Sequence, residues 1–307
     1  MAEQAPASTG TRAASDDSRC GFVAIVGRPS VGKSTLLNAL VGARISITSR
    51  KPQTTRHRIA GILTEPPAQY VFVDTPGFQT RHRGALNERL NRTVRESLAD
   101  VDVVVWVLDA ARITPEDEAV AGLLPPELPV VVAVNKVDAL KDKRGLLPRL
   151  EQLGAMRDWA AIVPVSADKG TQLSELKAEI AKRLPASPPL YPPDELTDRD
   201  ERFLAAERVR EKIFRLLGDE VPYATTVTID RFEEEGRLRR IHATVLVDKA
   251  SQRAILLGEG GLRMKAIATD ARKDLERLFG GPVFLEVWVR VKKGWADDDA
   301  SLARLGY

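Results

Sequence analysis

Five short runs of apolar and β-branched residues recur between residues 21 and 184, and a stretch long enough for a helix separates each run from the next. We assign these runs as strands at Phe22–Val26, Tyr70–Val73, Val101–Leu108, Val130–Val134 and Ile162–Val165. Strands that are apolar on both faces are typical of a sheet covered by helices on both sides. The alternation therefore predicts an α/β domain with a doubly wound, mostly parallel sheet.

A proline-rich stretch ends this pattern, since five of the nine residues at 185–193 are proline. Adjacent prolines neither continue a helix nor supply the N–H donors of a central strand, so we predict a stiff linker. Residues 1–20 offer almost no apolar side chains to bury, so we predict a disordered leader there. The rest of the chain divides into a first domain at 21–186, the linker at 187–198 and a second domain at 199–307.

The second domain has a different order of elements. Apolar residues near helical spacing, from Phe203 to Leu217, predict a first helix. Two strands follow, and then two helices and a last strand, at Thr225–Asp230, Ile241–Val247, Ser251–Leu257, Leu262–Phe279 and Val283–Val291. This order predicts a small α+β domain.

Composition excludes several classes of protein. The single cysteine, Cys20, cannot form an internal disulfide, which fits a reducing cytosol. No apolar run reaches the roughly 18–20 residues of a membrane span. The first residues lack a basic start and an apolar stretch, so we expect no secretory signal. The net charge of +3 does not by itself predict nucleic-acid binding.

A glycine-rich motif lies directly after the first predicted strand and before a helix-like stretch. It comprises Gly27, Arg28, Pro29, Ser30, Val31, Gly32, Lys33 and Ser34, followed by Thr35. In such a loop the backbone N–H groups surround phosphate oxygens, the lysine reaches the outer phosphates and the serine can ligate magnesium. The alternative is a chance glycine-rich turn, and the strand and helix on either side favour the phosphate site.

A second motif, Asp74-Thr75-Pro76-Gly77, ends the strand Tyr70–Val73. An aspartate at the end of a strand beside a phosphate loop is placed to hold magnesium, and a glycine N–H there can contact a γ-phosphate. The alternative is an ordinary Pro-Gly turn.

A third motif, Asn135-Lys136-Val137-Asp138, follows the strand Val130–Val134 and indicates which base is bound. The Asp138 carboxylate can accept two hydrogen bonds from guanine, whereas adenine offers no such pair of donors and would leave the carboxylate unpaired. Lys136 is expected to cover the base, and Ser166 and Ala167 to present a backbone N–H to it. The alternative role of Asn135 and Asp138 is loop capping.

A polar stretch from Arg50 to His57 lies between the first two motifs and lacks clear periodicity. We interpret it as a nucleotide-sensing switch in which Thr54 or Thr55, with Thr55 favoured, reaches magnesium when a γ-phosphate is present. A solvated basic loop is the alternative. The predicted magnesium ligands are Ser34, Thr55 and Asp74.

These motifs, in this order, together with the run from Ile45 to His57 and the terminal Lys293–Asp298, closely resemble the Era family of bacterial GTPases. The resemblance spans residues 21–307. It implies a GTPase domain followed by a type II KH domain that binds the 3′ end of 16S rRNA and assists assembly of the 30S subunit. It also implies a cytosolic location with some peripheral association at the inner membrane. We separately expect a monomer.

In a KH domain a G-x-x-G turn between two helices clamps the phosphates of a short single strand. The matching residues here are Gly258, Glu259, Gly260 and Gly261, and the expected RNA-binding cations around them are Lys249, Arg253, Arg263 and Lys265. Glu259 departs from the basic residue usual in the family, which predicts a weaker clamp. An ordinary helical hairpin is the alternative.

For catalysis we expect Lys33, Thr55, Asp74 and Gly77 to act on GTP, with GDP as the product. Phe78 fills the position where Ras-like enzymes have a glutamine that orients water, so we expect slow intrinsic turnover. Relatives with an apolar residue there commonly use a potassium ion held partly by an asparagine of the glycine-rich loop. This chain has Ser30 at that position, so potassium activation is doubtful.

Two other functions fit the same motifs. One is an RNA-binding assembly chaperone in which the nucleotide is only a structural ligand. The other is a GTPase coupled to tRNA modification. The absence of a C-terminal cysteine argues against relatives of that kind that use one.

Overall fold

A computed structural model describes residues 18–49, 51, 54–78, 85–218 and 221–305. The strands are β1 Arg19–Val26, β2 Ile59–Glu65, β3 Ala68–Asp74, β4 Val103–Asp109, β5 Val130–Asn135, β6 Ala161–Pro164, β7 Thr225–Glu235, β8 Leu238–Val247 and β9 Val283–Val291. The helices are α1 Lys33–Val41, α2 Ala85–Ala99, α3 Pro115–Ala121, α4 Leu146–Met156, α5 Leu173–Ala181, α6 Glu201–Leu216, α7 Ala250–Leu257, α8 Leu262–Phe279 and α9 Asp299–Arg304. Within these ranges no helix is both long and apolar enough to cross a membrane.

The first six strands form one sheet in the order β2-β3-β1-β4-β5-β6. All neighbours are parallel except β2 and β3, which are antiparallel. Buried apolar residues cover both faces of the sheet in two separate clusters. The prediction of a doubly wound, mostly parallel sheet is therefore confirmed.

Strand β2 was not predicted from the sequence. It follows the polar loop and contains Gly61, which weakens the strand pattern. A Cβ atom at Gly61 would lie 2.7 Å from side-chain atoms of Leu37 and Ile45, so the glycine lets the strand pack closely against α1. The antiparallel hairpin of β2 with β3 thus depends on close packing that the spacing of apolar residues in the sequence does not reveal.

The start of the first domain also differs from the prediction. Arg19 and Cys20, which we placed in the leader, are the first residues of β1, and Cys20 is buried. They belong to the sheet because Arg19 pairs with Ala68 and Cys20 with Gln69 in the β1–β3 register. The prediction of a disordered leader over residues 1–17 lies outside the described residues.

The proline-rich segment lies along the first domain. Ala186 forms a bridge with Arg19, and Thr197 forms one with Gly61. The buried Gln69 side chain accepts hydrogen bonds from the backbone N–H groups of Leu190 and Tyr191, at 2.7 and 3.0 Å. These bonds hold the segment against the first sheet.

The last three strands form a second sheet in the order β7-β8-β9, in which β8 and β9 are parallel. The predicted order of helix, two strands, two helices and strand is confirmed. Residues of α6, α7, α8 and the sheet form the main core cluster. Trp295 is fully buried and packs in the interior, whereas Trp288 on β9 is 56% exposed.

Candidate nucleotide site and nucleic-acid interface

The three nucleotide motifs meet at one edge of the first sheet. Residues 27–34 follow β1, Asp74 ends β3 and Asn135 ends β5. Because these strands are parallel, their carboxyl ends lie at the same edge, where open α/β sheets bind ligands. The fold therefore assembles the predicted site from segments up to 108 residues apart in the sequence (135 minus 27).

The glycine-rich loop packs against the base-recognition motif. Gly32, the residue before α1, has φ 103°, and a Cβ atom there would collide with the Asn135 side chain. Lys33 is buried, and its Nζ donates to the carbonyl oxygens of Gly27 and Arg28, each at 3.1 Å. Burial lowers the pKa of Lys33 to about 8. A bound phosphate would stabilise the charged form of this lysine.

Two hydroxyl groups converge on Asp74. Ser34 Oγ donates to Asp74 Oδ2 at 2.7 Å and lies 2.7 Å from Thr55 Oγ1, which donates to the same carboxylate oxygen at 3.3 Å. Thr54 points elsewhere, because its hydroxyl donates to the carbonyl oxygen of Lys51 at 2.7 Å. Of the two candidate threonines, the structure therefore places Thr55 at the carboxylate.

The buried carboxylate of Asp74 fits a magnesium ion. Asp74 is fully buried, and its Oδ1 has no hydrogen-bond partner in the described part of the chain. Burial raises the pKa of this carboxyl, and hydrogen bonds from hydroxyl groups oppose the rise. Magnesium prefers oxygen ligands, and a cation would satisfy the unpaired oxygen.

The base-recognition residues brace the loops around them. Asn135 Nδ2 donates to the Val31 carbonyl oxygen at 2.9 Å, and Lys136 Nζ donates to the Ser30 carbonyl oxygen at 2.7 Å. Asp138 is exposed, and its Oδ1 accepts a 2.6 Å hydrogen bond from Ser166 Oγ. The energetic argument for guanine therefore applies only once a base covers Asp138.

The amides that we expect at the base already have partners. The Ser166 N–H donates to the Thr171 carbonyl oxygen at 3.2 Å, and the Ala167 N–H donates to Asn135 Oδ1 at 3.0 Å. For either amide to donate to a base, it would have to break the hydrogen bond that it makes here. The contact of Ser166 or Ala167 with guanine stays a prediction.

Phe78 follows Gly77 and packs into the core of the first domain. It is 9% exposed and belongs to the cluster that contains Val94 and Leu98 of α2. Its ring is therefore held by packing and offers no polar group to orient water.

The segment between α1 and β2 is bonded to the second domain through α6 and α8. Arg44 forms ion pairs with Glu211 at 2.6 Å and with Asp274 at 3.2 Å, and both carboxylates are buried. Arg210 Nη2 donates to the Thr54 carbonyl oxygen at 2.5 Å and pairs with Glu207 at 2.6 Å. Consecutive charged residues in a helix normally face solvent, so the sequence offered no signal that these are buried.

The glycine turn of the second domain lies between α7 and α8. Gly258 has φ 70°, and a Cβ atom there would lie 2.7 Å from the Cβ of Arg263, so only glycine fits without strain. Glu259 and Gly260 are exposed at the tip. Ile255 and Leu262 lie beside the turn and are 46% and 67% exposed, which leaves an apolar surface next to it.

The cations expected at this turn are all exposed. These cations are Lys249, Arg253, Arg263 and Lys265. Within the part of the chain that the structure describes, none of the four forms an ion pair with a carboxylate. Exposed cations beside an apolar surface and a glycine turn can bind the phosphates and bases of a single strand.

Known proteins share both domains. Residues 22–136 match the model of the 50S ribosome-binding GTPase family, and residues 220–296 match the KH domain. GTPase Era of Neisseria meningitidis is 56% identical over 299 residues, which cover 97% of each chain. GTPase Era of Nitrosomonas eutropha is 55% identical over 289 residues, which cover 94% of this chain and 98% of the relative.

Two solved structures have the same architecture, each with a TM-score of 0.91 and 37% identity over 94% of this chain and 99% of the other. One is a variant of Aquifex aeolicus Era bound to GDP·AlF4−, and the other is Era in complex with MgGDPNP and nucleotides 1506–1542 of 16S ribosomal RNA. Identity above 50% over nearly the whole length shows the family as well as the fold. The chain is therefore a GTPase that belongs to the Era family.

Proposed function

We propose that this GTPase is a nucleotide-controlled factor that binds the 3′ end of 16S rRNA and assists assembly of the 30S subunit. The observation that carries the proposal is the glycine turn at Gly258, with exposed cations and exposed apolar side chains around it. The Era structure in complex with 16S rRNA supports the choice of RNA, because it matches this chain at a TM-score of 0.91.

We further propose that the nucleotide is bound with magnesium at Ser34, Thr55 and Asp74. The carboxylate and two hydroxyl groups already lie together, and Asp74 Oδ1 has no partner among the described residues. Magnesium bound there would neutralise charge on the phosphates. Lys33 would leave the carbonyl oxygens of Gly27 and Arg28 to contact the outer phosphates, and the Gly77 N–H would donate to the γ-phosphate.

The position of Phe78 bears on the rate of GTP hydrolysis. With this side chain packed in the core, a water molecule at the γ-phosphate lacks the orienting group that Ras-like enzymes supply. We propose slow intrinsic hydrolysis that a ribosomal partner or RNA accelerates. We also propose that potassium does little to activate hydrolysis, since Ser30 replaces the asparagine. Equal rates in potassium and sodium buffers are expected, and faster turnover in potassium would contradict this.

The proposed setting is the cytosol, where the protein acts as a monomer and associates peripherally with the inner membrane. Ribosomal RNA and the 30S subunit are the proposed partners. Binding in the GTP state and release after hydrolysis would time the departure of the factor from the subunit.

Crosslinking to total RNA in the GTP and GDP states, followed by sequencing, tests the RNA proposal. We expect reads at the 3′ end of 16S rRNA, more of them with a non-hydrolysable GTP analogue than with GDP. Arg253→Ala should reduce these reads, whereas Arg92→Ala, which removes an exposed arginine of α2, should not. Enrichment of another RNA, or equal loss in both variants, would overturn the proposal.

A further inference from the structure

Ser46 is a buried serine at the nucleotide site to which the motifs assign no role. It lies in the segment between α1 and β2, and its side chain has no exposed surface. Its Oγ donates to Asp74 Oδ2 at 2.8 Å. A third hydroxyl group therefore reaches the carboxylate, in addition to those of Ser34 and Thr55.

The position of Ser46 is set by Asn38 on α1. Asn38 Oδ1 accepts hydrogen bonds from the backbone N–H groups of Ile45 and Ser46, at 3.0 and 2.9 Å. Asn38 Nδ2 donates to the Ser46 carbonyl oxygen at 2.7 Å. One side chain thus holds the backbone of Ser46 on both sides of the residue.

The hydroxyl groups on Asp74 all approach the same oxygen. Ser34, Ser46 and Thr55 lie 2.7, 2.8 and 3.3 Å from Oδ2, whereas Oδ1 has no partner in the ranges described. If Ser34 and Thr55 turn to a metal ion, Ser46 is the hydroxyl that stays on Oδ2, because it is held from behind by Asn38. Such a bond fixes the rotation of the carboxylate and keeps Oδ1 directed at the metal site.

We infer that Ser46 is a positioning residue for the magnesium site: its hydroxyl orients the Asp74 carboxylate toward the ion without contacting the nucleotide. The inference rests on the magnesium site proposed above and does not depend on the RNA partner. Loss of the hydroxyl leaves a buried carboxylate with one donor fewer and free to rotate. The affinity for magnesium should fall more than the affinity for the nucleotide alone.

The test measures retention of a fluorescent GDP analogue while magnesium is titrated. For Ser46→Ala we expect the half-maximal magnesium concentration to rise roughly 10-fold, as for other residues that orient a metal ligand. Affinity for the analogue in EDTA should be unchanged. Ser46→Cys conserves the volume of the side chain with a weaker donor, and the same shift is expected, which keeps the test valid if the alanine variant folds poorly.

Ser97→Ala is the matched control. It also removes the hydroxyl of a buried serine, one that donates to the Thr93 carbonyl oxygen within α2. Its magnesium titration should match that of the parent protein. An unchanged titration for the Ser46 variants would overturn the inference, as would an equal loss of affinity with and without magnesium. If retention by the parent protein does not depend on magnesium, the proposed metal site itself is wrong.

Discussion

The guanidinium of Arg56, in the loop between α1 and β2, donates a 2.8 Å hydrogen bond to the carbonyl oxygen of Thr225, the first residue of β7. Its second nitrogen donates to the carbonyl oxygens of Pro222 and Tyr223, at 3.1 and 2.9 Å. Arg56 is 1% exposed and follows Thr55, the candidate magnesium ligand. The residue next to Thr55 is therefore bonded directly to the KH domain.

The first prediction concerns this connection. Arg56→Ala removes one buried charged donor from three backbone carbonyl oxygens, so we expect the free energy of unfolding to fall by about 3 kcal/mol. We also expect the difference in RNA affinity between the GTP and GDP states to shrink. Urea denaturation and RNA binding in both states measure the two effects.

Arg58→Ala provides the control for Arg56, because it removes an exposed arginine from the same loop. It should leave stability and the nucleotide dependence of RNA binding unchanged. If Arg56→Ala loses stability but keeps the full difference between the GTP and GDP states, Arg56 supports the fold and does not couple the domains.

The second prediction tests the assignment of the base. Asp138→Asn removes the carboxylate that would accept a hydrogen bond from the amino group of guanine. The new side-chain amide can instead donate to the 2-oxo group of xanthine. We expect preference for GTP over XTP to reverse, with a loss of about 100-fold in affinity for GTP. Competition binding with both nucleotides measures this. Asp168→Asn, at a neighbouring exposed aspartate, should keep the preference for GTP, and unaltered selectivity in Asp138→Asn would contradict the assignment.

The third prediction concerns pH. His57 lies between the domains with its side chain 12% exposed, 3.9 Å from Glu207 and against the ring of Phe203. Burial lowers its pKa from 6.5 to about 4, although Glu207 opposes this shift. Between these two values the unfolded chain binds a proton that the folded chain does not, so stability must fall as the pH is lowered through this range.

At pH 5 the effect of His57 should be about 2 kcal/mol in the free energy of unfolding. Denaturation of the parent protein and of His57→Gln at several pH values measures it. The difference in unfolding free energy between the two proteins should change between pH 6.5 and 5. Only the parent protein has a histidine at this position that binds a proton on unfolding. Parallel curves would show that His57 does not titrate as described.

Sequence alone could predict the nucleotide site because its residues follow strand ends. Parallel strands bring their carboxyl ends together, so Ser34, Asp74 and Asn135 meet without any knowledge of side-chain packing. Ser46 and Arg210 were missed for the opposite reason. Their partners lie on elements that spacing does not relate, and a buried serine or arginine has the same signature in the sequence as an exposed one.

The last prediction concerns the acidic residue in the RNA-binding turn. Glu259 is exposed at the tip of the turn beside Gly260, where a phosphate backbone is expected to approach. Glu259→Lys replaces repulsion by attraction, so RNA affinity should increase about 5-fold at moderate salt and depend more steeply on salt concentration. Titration of a single-stranded RNA from the 3′ end of 16S rRNA at several salt concentrations measures both. Glu118→Lys, with the same change of charge on the exposed side of α3, should alter neither, and equal gains in the two variants would show that only net charge matters.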